Sequence, residues 1–307
     1  MNPNPESQVV GPMRDYLEGE KHLDSKAMEA AVVRFQRTVG GQFSKERKPR
    51  DQDEIKLYPS EAGKCERAIL YKALGIPGEP FMSDVRFKFA MGDLVELLVV
   101  YLIGHAKGIS LTDNNTIMEI QIGSRKWRGA SDGIVKCLDG KKRNLEVKST
   151  SKWGFKFTKE RGVDDNFGYL TQACVLTRHM MQEKLIDVPE TVFVYVDRDS
   201  MHFHEEIVVF DDFSLAHKAD LKFDRVLQAI KDKKVPKRPY QLQKGKLGLQ
   251  CSYCSHKFTC WVRPHQAVTF EMKEGRPEPV YRVQPTQYLN TVFSRGKPNW
   301  ILVGNAE

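Results

Sequence analysis

The sequence predicts an α/β protein in which helices cover a central mixed β-sheet, and three observations carry that expectation. Segments with helical and strand-like patterns follow the order helices, strands, helix, strands, helix, which suits a sheet flanked by helices. The turn signal Asp139-Gly140 separates two strand-like runs, GASDGIVKCL and RNLEVKS. A chain of 307 residues with 40% hydrophobic and 29% charged residues is also an ordinary globular composition, long enough to bury a substantial core.

Taken in order, residues 1–57 read as a polar, peripheral arm with one helical pattern, SKAMEAAVVRFQRTV, followed by a charged linker, SKERKPRDQDE. The pattern tightens from Pro59. SEAGKCERAILYKALG has helical spacing and stops at Gly75, and SDVRFKFAMGDLVELLVVYLIGHAKG predicts a longer helix from Ser83. TIMEIQIG, GASDGIVKCL and RNLEVKS are then expected to form an antiparallel meander. A helix over DNFGYLTQACVLTRHMMQEKL, strands over TVFVYVDR and HFHEEIVVF, and a helix over about 213–233 complete the expected domain, residues 58–265. Residues 266–307, with Pro277, Pro279 and Pro285, read as an irregular tail.

The most apolar run, LVELLVVYLIG, carries Glu96 and is too short to span a bilayer. The amino terminus has no basic stretch leading into an apolar one, so an intracellular, cytoplasmic protein with no membrane partner is expected. A formal charge of +8, from 48 Lys and Arg against 40 Asp and Glu, fits a polyanionic partner. Six cysteines in a reducing compartment point to free thiols or metal ligands rather than disulfides.

The stretch NLEVKST holds the first candidate site. Leu145 and Val147 alternate inward, which puts Glu146 and Lys148 together on the other face. If Asp139-Gly140 turns a hairpin, Asp132 stands within about one residue of the position opposite Glu146. Two close carboxylates repel unless a cation neutralises them. Hard oxygen donors suit Mg2+ or Mn2+, which polarise a phosphoryl oxygen and lower the pKa of bound water. A lysine beside such an ion can orient that water or stabilise charge on the reacting phosphate, so the set suits phosphodiester hydrolysis. The plain alternative is a cross-strand ion pair on a solvated face, worth about 0.2–1 kcal/mol.

G-x-S-D-G-I-V followed by L-E-V-K-S resembles the core of the PD-(D/E)xK nucleases, in the RecB-like branch. The resemblance implies a restriction-endonuclease-like core, with Asp132, Glu146 and the Val147 carbonyl as metal ligands and Lys148 as the catalytic amine. That branch carries G-x-x-x-H on an upstream helix. Here Gly92 is followed by Glu96 at the histidine position, so Glu96 is assigned to the metal, with His105 as the rival. Its Q-x-x-x-Y motif maps Gln172 onto the site. Leu176 replaces the tyrosine, and Tyr169, one turn earlier on the same helix face, is the geometric substitute.

Cys251, Cys254 and Cys260 give C-x2-C-x5-C, three thiolates able to clasp one metal centre, and Cys65 is the cysteine upstream of the strands. Zinc, with His256 or Cys65 as fourth ligand, is one reading, although zinc sites commonly use two local pairs. Ser60, Cys65, Arg67 and Tyr71 match S-x4-C-x-R-x3-Y, and this one-plus-three layout resembles the iron-sulfur subset of RecB-like nucleases. That subset includes CRISPR-adaptation nucleases, AddB-type helicase-nucleases and phage exonucleases. The resemblance implies a 4Fe-4S cluster that joins the N- and C-terminal parts around the core. Cys137 and Cys174 lie in apolar contexts and read as buried free thiols.

Lys152, Trp153, Lys156 and Phe157 interleave cations and aromatics as single-stranded DNA grooves do. The expected function is therefore a metal-dependent DNA exonuclease acting on single strands or duplex ends in recombination, replication or repair, where proteins of those processes are possible partners. A nucleic-acid binding protein that has lost catalysis, with a structural iron-sulfur or zinc site, is the alternative. A zinc-ribbon regulator would leave Asp132, Glu146 and Lys148 without purpose.

Overall fold

In the computed structural model the described residues are 7–19, a few positions between 26 and 36, 55–76, 78–79, 83–113, 117–261 and 266–283. Among them lie helices α1 (Val10–Glu18), α2 (Glu66–Ala73), α3 (Ser83–His105), α4 (Lys152–Arg161), α5 (Tyr169–Gln182), α6 (Ser214–Lys231), α7 (Leu249–Ser252) and α8 (Lys257–Trp261). The strands are β1 (Ser110–Asp113), β2 (Ile117–Ile122), β3 (Arg125–Ala130), β4 (Gly133–Lys136), β5 (Lys142–Thr150), β6 (Glu190–Asp197), β7 (Phe203–Val209), β8 (Gln266–Lys273) and β9 (Arg276–Val283). No helix among the described residues is long and apolar enough to cross a membrane.

The central sheet has the order β1-β4-β5-β6-β7. β5 and β6 run parallel and the other neighbours are antiparallel, so the sheet is mixed and flanked by helices, as expected. The parallel pair needs a crossover, which α4 and α5 provide. Apart from its first residue, β6 (ETVFVYVD) is buried throughout, the pattern of a strand covered on both faces.

Alternation splits the core in two. Leu145, Val147, Val192 and Val194 face Val99 and Ile103 of α3, together with Val10 and Met13 of α1. Phe193 and Tyr195 face the other way, toward Leu176 of α5 and Phe223 of α6. Glu146 pairs with Phe193 and therefore lies on this second face, beneath a helix instead of on a solvated surface.

Several expectations need correction. The meander forms only in part: GIVK of the second run pairs antiparallel with the third, as expected, but TIMEIQIG pairs with RKWRGA in a separate hairpin, β2–β3. Of RKWRGA only Trp127 is buried, so three cations conceal the strand's alternation. GASDGIVKCL is broken at Ser131 and Asp132, between β3 and β4. The segment around residue 10 is not peripheral, because Val9, Val10 and Met13 are core residues. Glu205 of β7 accepts the N–H groups of Gln8, Val9 and Val10 at 2.9, 3.0 and 2.8 Å, anchoring the start of α1. Gly11 and Pro12 disguise this helix in the sequence, yet Pro sits in its first turn, where no N–H is needed. Most of SKAMEAAVVRFQRTV lies outside the described residues.

The tail is not wholly irregular, because β8 and β9 form a hairpin over 266–283. Pro277 and Pro279 occupy alternate positions of β9, so the N–H each lacks falls on the same, outer side of a two-stranded ribbon. Residues 284–307 lie outside the description.

Candidate active site

The local hairpin places Asp132 where the turn signal implies. Gly133 pairs with Leu145, and the antiparallel register continued by one residue sets Asp132 against Glu146. Asp132 is in the connection before β4, where its Oδ2 accepts the Val147 N–H at 2.7 Å. The connection is pinned from inside by Ser131, whose hydroxyl accepts from the Gly133 N–H at 3.1 Å and donates to Asn144 Oδ1 at 2.7 Å. Asn144 Nδ2 in turn donates to Thr191 Oγ1 at 3.0 Å, which ties the connection to β6.

Glu146 is 1% exposed. Its Oε1 takes the Lys148 ammonium in an ion pair, while Oε2 is buried with no hydrogen-bond partner among the described residues. Lys148 Nζ also sits 4.7 Å from the centroid of the Tyr169 ring, a cation–π contact from the start of α5. Burial raises the proton affinity of both carboxyls, and Lys148 opposes it. Burial alone would lower the lysine, but Glu146 and Asp132 outweigh it and hold the ammonium charged.

Glu96 is half-buried on α3 and near enough to raise the proton affinity of Glu146 further. His105 is engaged elsewhere: its Nδ1 is 2.8 Å from the Tyr101 carbonyl and its ring stacks on Tyr101 at 4.2 Å. Glu96, not His105, is thus the α3 side chain electrostatically linked to the site. Leu176, where the motif would place tyrosine, is fully buried in the core. Tyr169, expected as the geometric substitute for that tyrosine and as a DNA contact, lies against the lysine. Its position one turn before Gln172 was the available signal.

Lys152, Trp153 and Lys156 lie exposed on α4, a helix that follows β5 directly and was not anticipated. Ser151 caps it, accepting the Gly154 N–H at 3.3 Å. The signal was Ser151 followed by basic Lys159 and Arg161 before Gly162, hidden by a lack of any buried stripe.

The cysteines converge from separate segments. Cys65 precedes α2, Cys251 is in α7, Cys254 follows it and Cys260 is in α8. All four line one cavity of about 440 Å³, together with Tyr71, Tyr169, Gln172 and His256. Burial raises the pKa of every one of these thiols, to about 12 at Cys251, where the other three add to the rise. His256 Nδ1 is buried without a partner among the described residues, and burial holds this imidazole down at about 4, hence neutral. Cys137 and Cys174 are buried free thiols.

Gly63 and Gly168 bring the two centres into contact. A Cβ on Gly63 would stand 2.0 Å from the Gly168 Cα, so the segment leading to Cys65 packs backbone to backbone against the N-cap of α5. Gly168 adopts φ 82, open to glycine at no steric cost. Tyr169, the next residue, touches both the cavity and Lys148.

Among the described residues no three His, Cys, Asp or Glu side chains are gathered closely enough to hold a metal ion. No protein-family model matches this chain, and no curated protein matches it. A solved structure described as "Crystal structure of SSO0001" is similar over 74% of this chain and 94% of that chain, at 15% identity and a TM-score of 0.42. A likeness at that level bears on neither activity nor substrate.

Proposed function

We propose that this protein is a divalent-metal-dependent deoxyribonuclease, an exonuclease acting on single-stranded DNA or duplex ends in recombination, replication or repair. One observation carries the reading: Asp132 is fastened across the hairpin beside Glu146, whose buried Oε2 has no hydrogen-bond partner among the described residues and whose Oε1 meets Lys148. An unsatisfied buried polar atom costs about 1–3 kcal/mol, more when charged. A hard cation would satisfy it.

Asp132 and Glu146 would hold Mg2+ or Mn2+, with Glu96 and the Val147 carbonyl as further donors. One or two carboxylates are enough for magnesium, which keeps several waters and shares substrate phosphate oxygens. When bound, the ion would polarise the phosphoryl oxygen and lower the pKa of a coordinated water. Lys148, held charged by the two carboxylates, would counter the negative charge that develops on the phosphate. Tyr169 would help hold the lysine through its ring contact, and Gln172, one turn on along the same helix face, would act beside it.

Cys65, Cys251, Cys254 and Cys260 would hold a 4Fe-4S cluster. Their support is the donor set, four thiols on the wall of one cavity. Ligation would fasten α2 to α7 and α8 and contribute folding free energy. Zinc on three cysteines and His256 is the rival occupant, favoured by the unpartnered His256 Nδ1.

The test is anaerobic purification with iron and sulfide analysis, then incubation with end-labelled DNA and Mg2+ or Mn2+. Degradation is expected, slowed by about 100-fold or more in Lys148→Ala, the scale of removing one transition-state donor. An equal rate in that variant overturns the hydrolytic reading. Cys254→Ala should lose iron and sulfide, and unchanged iron content would remove the cluster. A protein that binds DNA without cutting it would fit the Glu146–Lys148 ion pair as a self-neutralised relic.

A further inference from the structure

We infer that α4 is a stacking platform for single-stranded DNA, a claim that rests on the nuclease reading and adds to it the form of substrate and the surface that receives it. Trp153, Phe157 and Arg161 recur every four residues and form one stripe along the helix. The Trp153 and Phe157 rings stack with centroids 5.5 Å apart and planes at 25°, and Arg161 Cζ lies 5.1 Å from the Phe157 centroid. Trp153 is 76% exposed.

Packing does not require that tryptophan. Phe155 of the same helix already turns inward against the core and meets the His204 ring edge-on at 6.2 Å. No position of the helix is fully buried, and Trp153 is the more exposed of its two stripe aromatics. Its charge also points to one occupant: Lys152, Lys156, Lys159 and Arg161 stand against a single acid, Glu160. A largely exposed tryptophan ring, backed by the half-buried Phe157 and interleaved with cations, matches unstacked bases joined by phosphates. A duplex keeps its bases stacked on one another and so offers phosphates and groove edges but no free base face to a ring.

The stripe begins close to the hydrolytic residues. Trp153 follows Lys148 by five residues, a span of at most about 17 Å even for fully extended chain. A strand lying on α4 would therefore feed directly toward Lys148.

The test is binding without turnover, in full-length Lys148→Ala protein with EDTA present. Fluorescence anisotropy would follow a labelled single-stranded oligonucleotide and a blunt duplex of the same sequence. Adding Trp153→Ala should weaken single-strand binding by about tenfold, within the range of one lost base–aromatic stack. Trp153→Phe should restore most of it, and duplex binding should change less than about twofold, as phosphate contacts persist.

Unchanged single-strand affinity in Trp153→Ala overturns the inference, as does an equal loss for both forms or the absence of single-strand binding in the parent protein. So does sedimentation showing that Trp153→Ala dissociates an oligomer while leaving DNA affinity intact, since the stripe then belongs to a second copy. The nuclease reading fails separately. Lys148→Ala that still degrades DNA refutes catalysis and leaves the platform standing, whereas an inactive Lys148→Ala with normal Trp153→Ala binding does the reverse.

Discussion

Around Glu146 the chain meets itself through one local hairpin, from Asp132 to Lys148. Around Cys251 it meets itself from far apart, because Cys65 arrives 186 positions earlier, by 251 minus 65. The first centre is fixed by strand register and by the Ser131, Asn144 and Thr191 hydrogen bonds. The second rests on long-range packing, with the Gly63–Gly168 approach as its tightest point. A local centre is specified by its own residues, whereas a distant one depends on everything that closes the chain. Tyr169 touches both, so the contrast can be tested by disturbing each side.

The largest effect should come from the local centre. Glu146→Ala strands the Lys148 ammonium beside a single carboxylate, and breaking a buried pair costs about 3–5 kcal/mol. Chemical denaturation should register that loss with iron content unchanged in the folded fraction. If iron falls together with stability, the two centres are one unit.

Gly63→Ala comes next. The added methyl meets backbone, not a movable side chain, and overpacking of this kind costs about 1–3 kcal/mol. Because the strain falls on the N-cap of α5, the effect should appear at both centres, which under the proposed function means reduced iron retention and slower DNA degradation. A stable variant with both intact would show that the centres are independent.

Ser131→Ala should be smaller and confined to the local centre. It removes the partner of the Gly133 N–H and of Asn144 Oδ1, for about 1–2 kcal/mol, with cysteine chemistry untouched. The smallest effect lies at the hairpin turn itself. Arg143 grips Asp139 with two hydrogen bonds of 2.8 Å and holds its carboxyl well below the usual carboxylate range, at about 2. The folded pKa is depressed, so this contribution is complete above about pH 4 and fades as pH falls toward 2. Asp139 is largely exposed, so solvent screening limits it to less than about 1 kcal/mol. Asp139→Asn should flatten that acid limb by no more than this, and a larger loss would mean that the turn governs the register.

These differences also explain what could be read from the sequence. The Asp-Gly turn and the alternation of Leu145 and Val147 predicted the facing of Asp132 and Glu146, because register follows from local pattern. The burial of Glu146 could not be foreseen, since no single strand names the helix that covers its face. β3 was hidden by Arg125, Lys126 and Arg128, and α4 by the absence of any buried position. The cysteine spacing marked the residues, but their common cavity depends on contacts between segments with no shared periodicity. Leu176 looked like a departure from a motif and is a core residue with no exposure.

The central claim is that Asp132 and Glu146 together bind a hard dication. Calorimetric titration of Mn2+ into the full-length protein, with Asp132→Asn and Glu146→Gln as paired controls, addresses it most directly. The account predicts one binding event in the parent protein that both substitutions abolish while the cysteine centre keeps its metal. No uptake by the parent, or uptake that persists in both variants, would contradict it.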